Sequence, residues 1–136
     1  MFQQGDVIRF MERRTLRSKC PPLAGCLQRG MCVLDVGSSI GAMTTEVARL
    51  VAPGDVTGVD VAPKAIEDGR KAAAERGPEN LRFQVADTYD LPFEDDEFDL
   101  TYSLALMVWL RDPVTALIEQ KRVTRRGGWV AAGTGD

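Results

Sequence analysis

From residue 32 onward the chain repeats one arrangement: a short β-rich apolar run, a junction bearing glycine or aspartate, and a helix-patterned stretch. Runs over residues 32–36, 56–61, 81–86, 98–103 and 129–132 have the length and composition of buried strands. Between them, Ala42–Val51 places Met43, Val47, Leu50 and Val51 at helical spacing, and Pro63–Arg76 opens with proline where a first turn accepts it. Asp112-Pro113 opens a last helix, read to about residue 126, with Asp112 as N-cap and Gly127-Gly128 as its stop. Residues 87–97 read as a polar loop. This alternation builds βαβ units. Right-handed crossovers then put helices on both faces of a mostly parallel sheet, an α/β sandwich.

Ahead of that core, residues 6–19 read as a helix, with Val7, Ile8, Phe10, Met11 and Leu16 set among charges. Cys20-Pro21-Pro22 should end it, because proline donates no hydrogen bond and restricts its predecessor; a helical turn follows over residues 23–27. The chain of 136 residues accordingly divides into an N-terminal helical segment, residues 1–29, and one core domain, residues 30–136. Residues 1–32 hold six basic and two acidic groups, whereas residues 33–110 hold six basic and fifteen acidic. An acidic centre discourages binding to a phosphate backbone, so no nucleic-acid partner is expected; it suits a cationic ligand. The basic start (Arg9, Arg13, Arg14, Arg17, Lys19) reads as a solvated helix face.

Histidine is absent, which excludes Ser–His and Cys–His nucleophiles and imidazole zinc sites. Cys20, Cys26 and Cys32 are odd in number and widely spaced, so free thiols in a reducing cytoplasm are expected rather than a disulfide framework or a metal site. No apolar run reaches membrane-spanning length, and residues 1–6 lack the order of a secretion signal.

In open parallel sheets, ligands bind at the carboxyl ends of the strands. The residues there are Asp35 to Gly41, Asp60, Asp87, Thr88, Ser103 and Leu104. Gly37-Ser38-Ser39-Ile40-Gly41 joins the first strand to the first helix. Its glycines permit positive φ and close ligand approach, and the helix N-terminus offers free N–H groups. Asp60 closes the second strand 19 positions after Gly41, where an acid can accept from both hydroxyls of a ribose. Asp87 closes the third strand, within reach of a base amino group. Each aspartate alone could equally be a turn former. Three at successive strand ends point to a nucleoside ligand.

Val33-Leu34-Asp35-Val36-Gly37-Ser38-Ser39-Ile40-Gly41 resembles the first motif of class I S-adenosylmethionine-dependent methyltransferases. Val56-Thr57-Gly58-Val59-Asp60 resembles their second-strand motif; Phe83-Gln84-Val85-Ala86-Asp87, Leu91-Pro92-Phe93 and Phe98-Asp99-Leu100 resemble the third. Leu110-Arg111-Asp112-Pro113 and Arg125-Arg126-Gly127-Gly128-Trp129-Val130 resemble the helix and fifth strand that follow. The flavour is nearest the ubiquinone/menaquinone-type C-methyltransferases. The resemblance implies a Rossmann-like three-layer sandwich of strand order 3-2-1-4-5, without the family's last two strands, and hence self-association through the open sheet edge. Three further departures stand out: Ser39 where the family usually has glycine, Arg126 where it usually has proline, and no histidine in the stretch 104–110.

The implied cofactor is S-adenosylmethionine. Asp35 would hold its amino group, and the backbone of Gly37, Ser38, Ser39 and Gly41 its carboxylate. Asp60 would take the ribose, Val61 would pack on adenine, and Asp87, Thr88 and Ser103 would complete the site. The implied reaction is methyl transfer to a small-molecule acceptor, quinone-like or phenolic. No catalytic base is assigned; Asp90, Glu94 and Tyr102 are the candidates. Two alternatives remain: a non-catalytic S-adenosylmethionine-binding fragment or inactive relative, and an NAD-dependent oxidoreductase. The second would want glycine at position 39.

Overall fold

A computed structural model describes residues 21–104 and 106–133; the helix expected over residues 6–19, its basic face and Cys20 lie outside them. Five strands, β1 (Val33–Val36), β2 (Val56–Asp60), β3 (Leu81–Val85), β4 (Phe98–Leu104) and β5 (Thr124–Gly133), form one sheet. Their order is β3-β2-β1-β4-β5, as expected, and every neighbouring pair is parallel. Among the described residues four helices accompany them: α1 (Pro21–Cys26), α2 (Ala42–Val51), α3 (Pro63–Arg76) and α4 (Pro113–Val123), with a 3-10 turn at Met107–Trp109.

Strand β1 is buried at all four positions, because strands flank it on both sides and helices cover both faces. Period-two alternation divides its side chains between two cores. Val33 joins Leu100, Val47, Ala48 and Ile66 on the face covered by α2 and α3. Leu34 and Val36 join Val59, Phe98 and Val123 on the face covered by α4. Asp35 is the one polar residue of β1, and it points to the α2 side, where Thr44 of α2 meets it. The chain runs outward from β1 to β3, then returns to β4 on the other side of β1. The switch point therefore lies at the carboxyl ends of β1 and β4.

Phe83 on β3 braces this end of the sheet. A Cβ at Gly41 would collide with its ring, one at Gly58 would come within 2.9 Å, and one at Gly69 within 3.3 Å. Three glycines from the first loop, β2 and α3 thus make a socket for one aromatic ring, which fixes the loop against the sheet.

Three boundaries differ from expectation. The helical turn expected over residues 23–27 begins at Pro21, with both prolines in the first turn of α1, where missing N–H donors cost nothing; the end of the helix expected before them lies outside the described residues. Helix α4 stops at Val123, not near residue 126, and β5 starts at Thr124 rather than 129. Thr124 explains this: its hydroxyl lies 2.8 Å from that of Thr101 on β4 and donates to the Gln120 carbonyl at 2.7 Å. The strand then shifts register between Phe98 and Leu100, with Gly127 at φ 79°, before Trp129 pairs with Leu100. Asp112 does cap α4, accepting from the Thr115 N–H at 3.1 Å. Arg122 joins α4 to the polar loop: it pairs with Glu119 at 2.7 Å and Asp95 at 2.8 Å, and it donates to the Phe93 and Leu91 carbonyls.

Candidate functional site

The loop after β1 is stitched to β2. The N–H groups of Gly37 and Ser38 both donate to the Val59 carbonyl, at 2.8 and 2.9 Å, and Ser39 N–H donates to Asp60 Oδ2 at 2.9 Å. This path needs left-handed backbone at Gly37 (φ 83°), Ser39 (φ 53°) and Gly41 (φ 86°). Two of the three are glycine. Ser39 adopts the conformation without glycine's freedom, at a strain of about 1–2 kcal/mol. Gly41 N–H is also consumed, by the Ser38 carbonyl at 3.0 Å. Four loop donors expected to face a ligand carboxylate are therefore spent inside the chain. The free donors belong instead to the first turn of α2, which has no intrahelical acceptors.

On the α2 side of this loop lies a cavity of about 290 Å³, lined among others by Asp35, Ser38, Met43, Tyr102 and Leu104. Asp35 is 4% exposed. Its Oδ2 accepts two hydroxyl hydrogen bonds, from Thr44 and from Tyr102, each at 2.7 Å. Burial pushes the carboxyl up to about 6 against the pull of those two donors, and the nearby charge of Asp60 adds to the rise. Ser38 Oγ is buried without a hydrogen-bond partner.

Across Gly37 lies a second hollow, about 70 Å³, bounded by Val59, Asp60, Val61, Thr88, Leu106 and Leu110 among others. At roughly 30 Å³ per water, it holds about two. Asp60 Oδ1 accepts from Ala62 N–H at 3.0 Å. Each carboxylate oxygen thus takes one backbone N–H, and a carboxylate has about four acceptor sites, so it can still accept two hydroxyls. Val61 is 72% exposed, an apolar wall open to solvent. Thr88 Oγ1 has no partner. Leu106 closes the hollow and presses on the loop: a Cβ at Gly37 would sit 3.3 Å from its methyl groups.

The structure thus brings Asp35, Gly37, Ser38, Ser39 and Gly41 together on one cavity, and Asp60, Val61 and Thr88 with Gly37 on the other. It separates two expected residues from both. Asp87 is exposed, and its Oδ1 accepts the N–H of Tyr89 at 2.9 Å, so it forms its own turn. Ser103 is fully buried within β4, opposite Ala132, and its hydroxyl lacks a partner. Of the candidate bases, Asp90 and Glu94 are exposed and line neither cavity. Tyr102 donates its proton to Asp35, and burial holds its phenol well above the ordinary range, so it is no base at neutral pH. Sequence reasoning missed Thr44 and Leu106, and with them Tyr102's bond to Asp35. Strand pairing alone could have found Tyr102, since it lies opposite Asp35 in the β1–β4 register.

Residues 34–132 match the methyltransferase-domain family. The chain belongs to that family, among the class I S-adenosylmethionine-dependent methyltransferases. An uncharacterized methyltransferase of Schizosaccharomyces pombe is 34% identical over 110 residues, 76% of this chain and 40% of the relative. Demethylmenaquinone methyltransferase of Staphylococcus aureus is 32% identical over 127 residues, 92% of this chain and 51% of its own. The YcgJ protein of Bacillus subtilis superposes with a TM-score of 0.74 at 28% identity, covering 81% of this chain and 47% of that one. The chain spans about half the length of the curated relatives it matches. Among the described residues, no helix is long and apolar enough to cross a membrane, and no cluster of three or more metal-ligating side chains occurs.

Proposed function

We propose that the chain binds S-adenosylmethionine across the two cavities that share Gly37 and directs its methyl group to a small-molecule acceptor. The observation that carries this reading is the pairing of a buried, solvent-starved carboxylate, Asp35, with a second carboxylate, Asp60, on either side of one glycine loop. Two hydroxyls without partners support the fit, Ser38 Oγ on the first cavity and Thr88 Oγ1 on the second. Buried polar groups are normally satisfied, so each is a place where a polar ligand would complete the structure.

Asp35 would face the ligand's ammonium, and the first turn of α2, with Ser38, its carboxylate. Asp60 would accept from the ribose hydroxyls. Val61 and Leu106 would flank the base, and Thr88 would meet its polar edge. When bound, the cofactor supplies a methyl group on a cationic sulfur, a leaving group already activated. The chain's own task is alignment, which can lower a barrier by roughly 7–11 kcal/mol; the two carboxylates that line the cavities, Asp35 and Asp60, are given to cofactor groups in this reading, and no catalytic base is assigned. A quinone-like or phenolic acceptor fits the likeness to demethylmenaquinone methyltransferase. A reducing cytoplasmic setting suits the free thiols of Cys26 and Cys32. With this reading goes self-association through the free edge of β5, visible as a sedimentation coefficient that rises with concentration; a concentration-independent monomer would remove it.

Calorimetric titration with S-adenosylmethionine, S-adenosylhomocysteine and NAD, repeated on Asp60→Ala, tests the core claim. The sulfonium compound should bind and NAD should not. Loss of the charged acceptor should weaken binding by about 10- to 100-fold. Binding of NAD alone would overturn the reading in favour of an oxidoreductase. Binding with no methyl transfer to any phenolic or quinone-like acceptor would leave a binding module.

A further inference from the structure

We propose that Tyr102 is a positioning residue for this site: its hydroxyl holds one oxygen of Asp35 so that the other serves the cavity as the counter-charge to a ligand ammonium. The proposal rests on the reading above, that the larger cavity receives the amino-acid end of S-adenosylmethionine.

Tyr102 and Asp35 are register partners on neighbouring parallel strands, so their side chains project from the same face side by side. Thr44 reaches the same oxygen from α2. Oδ2 is thereby clamped between β4 and α2, while Oδ1 makes no hydrogen bond among the described residues. Both Asp35 and Tyr102 are almost wholly buried yet line the cavity. Among the described residues, the charged groups facing the pair are acidic: Asp60 at the end of β2 toward Asp35, and Glu46 on α2 toward Tyr102. Among the described residues, no cation offsets the desolvation of Asp35. The two hydroxyls alone favour its ionised form. A neutral acid could not balance an ammonium, so Tyr102 sustains the charge as well as aiming it.

Ligand pairs that differ only in the amino-acid end separate this role from simple packing. Binding of S-adenosylhomocysteine and of 5′-methylthioadenosine, which lacks that end, is measured from pH 5.5 to 8.5 on the full chain and on Tyr102→Phe. In the unmodified chain, affinity for S-adenosylhomocysteine should fall as pH drops through about 6, where Asp35 takes up its proton. The variant should bind it about tenfold more weakly at pH 7, the loss of one hydrogen bond to a charged group. That deficit should shrink toward pH 8.5, because the midpoint moves upward. Methylthioadenosine affinity should stay within about twofold. Equal losses for both ligands, or an unmoved midpoint, overturn the proposal. If the unmodified chain binds neither ligand, the cofactor reading itself fails. Should Tyr102→Phe not fold, the unmodified chain still decides. The ¹³Cζ resonance of Tyr102 should titrate with the same midpoint as S-adenosylhomocysteine affinity, and two distinct midpoints reject the link.

Discussion

The two cavities that meet at Gly37 are built on different principles. The larger, about 290 Å³, is open and holds a buried carboxylate already oriented by Tyr102 and Thr44. The smaller, about 70 Å³, is bounded by Leu106 and Leu110, and its carboxylate, Asp60, is half spent on backbone N–H groups. One side stores electrostatic cost in advance. The other stores apolar contact that a flat base would have to displace. Preorganisation on the first side favours affinity for a charged head group, since little has to be ordered on binding. Closure on the second side makes whatever enters the smaller hollow depend on the segment after β4, which supplies Leu106 and Leu110.

Substituting the loop glycines gives the sharpest separation of the two sides. Gly41 has φ 86°, and a Cβ there would strike the Phe83 ring. Gly41→Ala should cost about 2–5 kcal/mol of folding stability, from left-handed strain plus overpacking. Gly37 has nearly the same φ, 83°, but its Cβ would meet only the flexible end of Leu106 at 3.3 Å. Gly37→Ala should cost about 1–2 kcal/mol in stability, the backbone strain alone. It should also lose affinity by pushing Leu106 further into the nucleoside hollow. Chemical denaturation beside ligand titration reads both, and equal stability losses would erase the distinction.

Asp35→Asn probes the stored electrostatic cost. The folded chain keeps the Asp35 proton up to about 6, whereas an unfolded aspartate releases it near 3.9. Between those values the folded state binds more protons, so this residue's contribution to stability falls as pH rises through that window, then stays low above it. The full fall is about 3 kcal/mol. Asparagine carries no charge at any pH and escapes it. The variant should therefore be more stable than the parent at pH 8 by about 1–3 kcal/mol, with the gap closing toward pH 4. It should at the same time bind S-adenosylhomocysteine more weakly. A stability difference between variant and parent that does not change with pH would show that the buried carboxyl bears no such cost.

The same contrast marks what the sequence disclosed. Strand order, the glycine loop and the placement of Asp35 and Asp60 beside it were legible, because alternation and strand-end position fix them in one dimension. Asp87 closes a turn through its Oδ1 and lines neither cavity: an aspartate after a strand can face a ligand or close its own turn, and spacing does not choose between them. Ser103 and Tyr102 are adjacent on β4, so period-two alternation sends them to opposite faces. Only the pairing of Asp35 with Tyr102 says which of them reaches the cavity. Phe83's socket joins residues from four segments and leaves no linear trace. The start of β5 depended on a side-chain bond between Thr101 and Thr124, which apolar patterning does not register.

Leu106→Ala tests the closed side. Leu106 is half-buried and packs against the Leu34–Val36 core, so truncation should cost about 1–2 kcal/mol, less than for a fully buried leucine. It should also widen the nucleoside hollow. Association of methylthioadenosine should then quicken by a few-fold, read by stopped-flow fluorescence of the chain's tryptophans. An unchanged association rate would mean that Leu106 is only a wall and never an obstacle.

The smallest expected effect belongs to Ser39, the residue whose side chain the loop path does not want. Its φ of 53° is left-handed, and its N–H is the link from the open cavity's loop to Asp60 on the closed side. Ser39→Gly relieves the backbone strain but frees the unfolded chain, and the two partly cancel. The net gain in stability should be about 0.5–1 kcal/mol. Because the N–H remains, the hold on Asp60 should persist and S-adenosylhomocysteine affinity should change by no more than about twofold. A marked gain in affinity would instead show that the serine side chain crowds the ligand. The departure from glycine would then be a matter of the site rather than of the backbone.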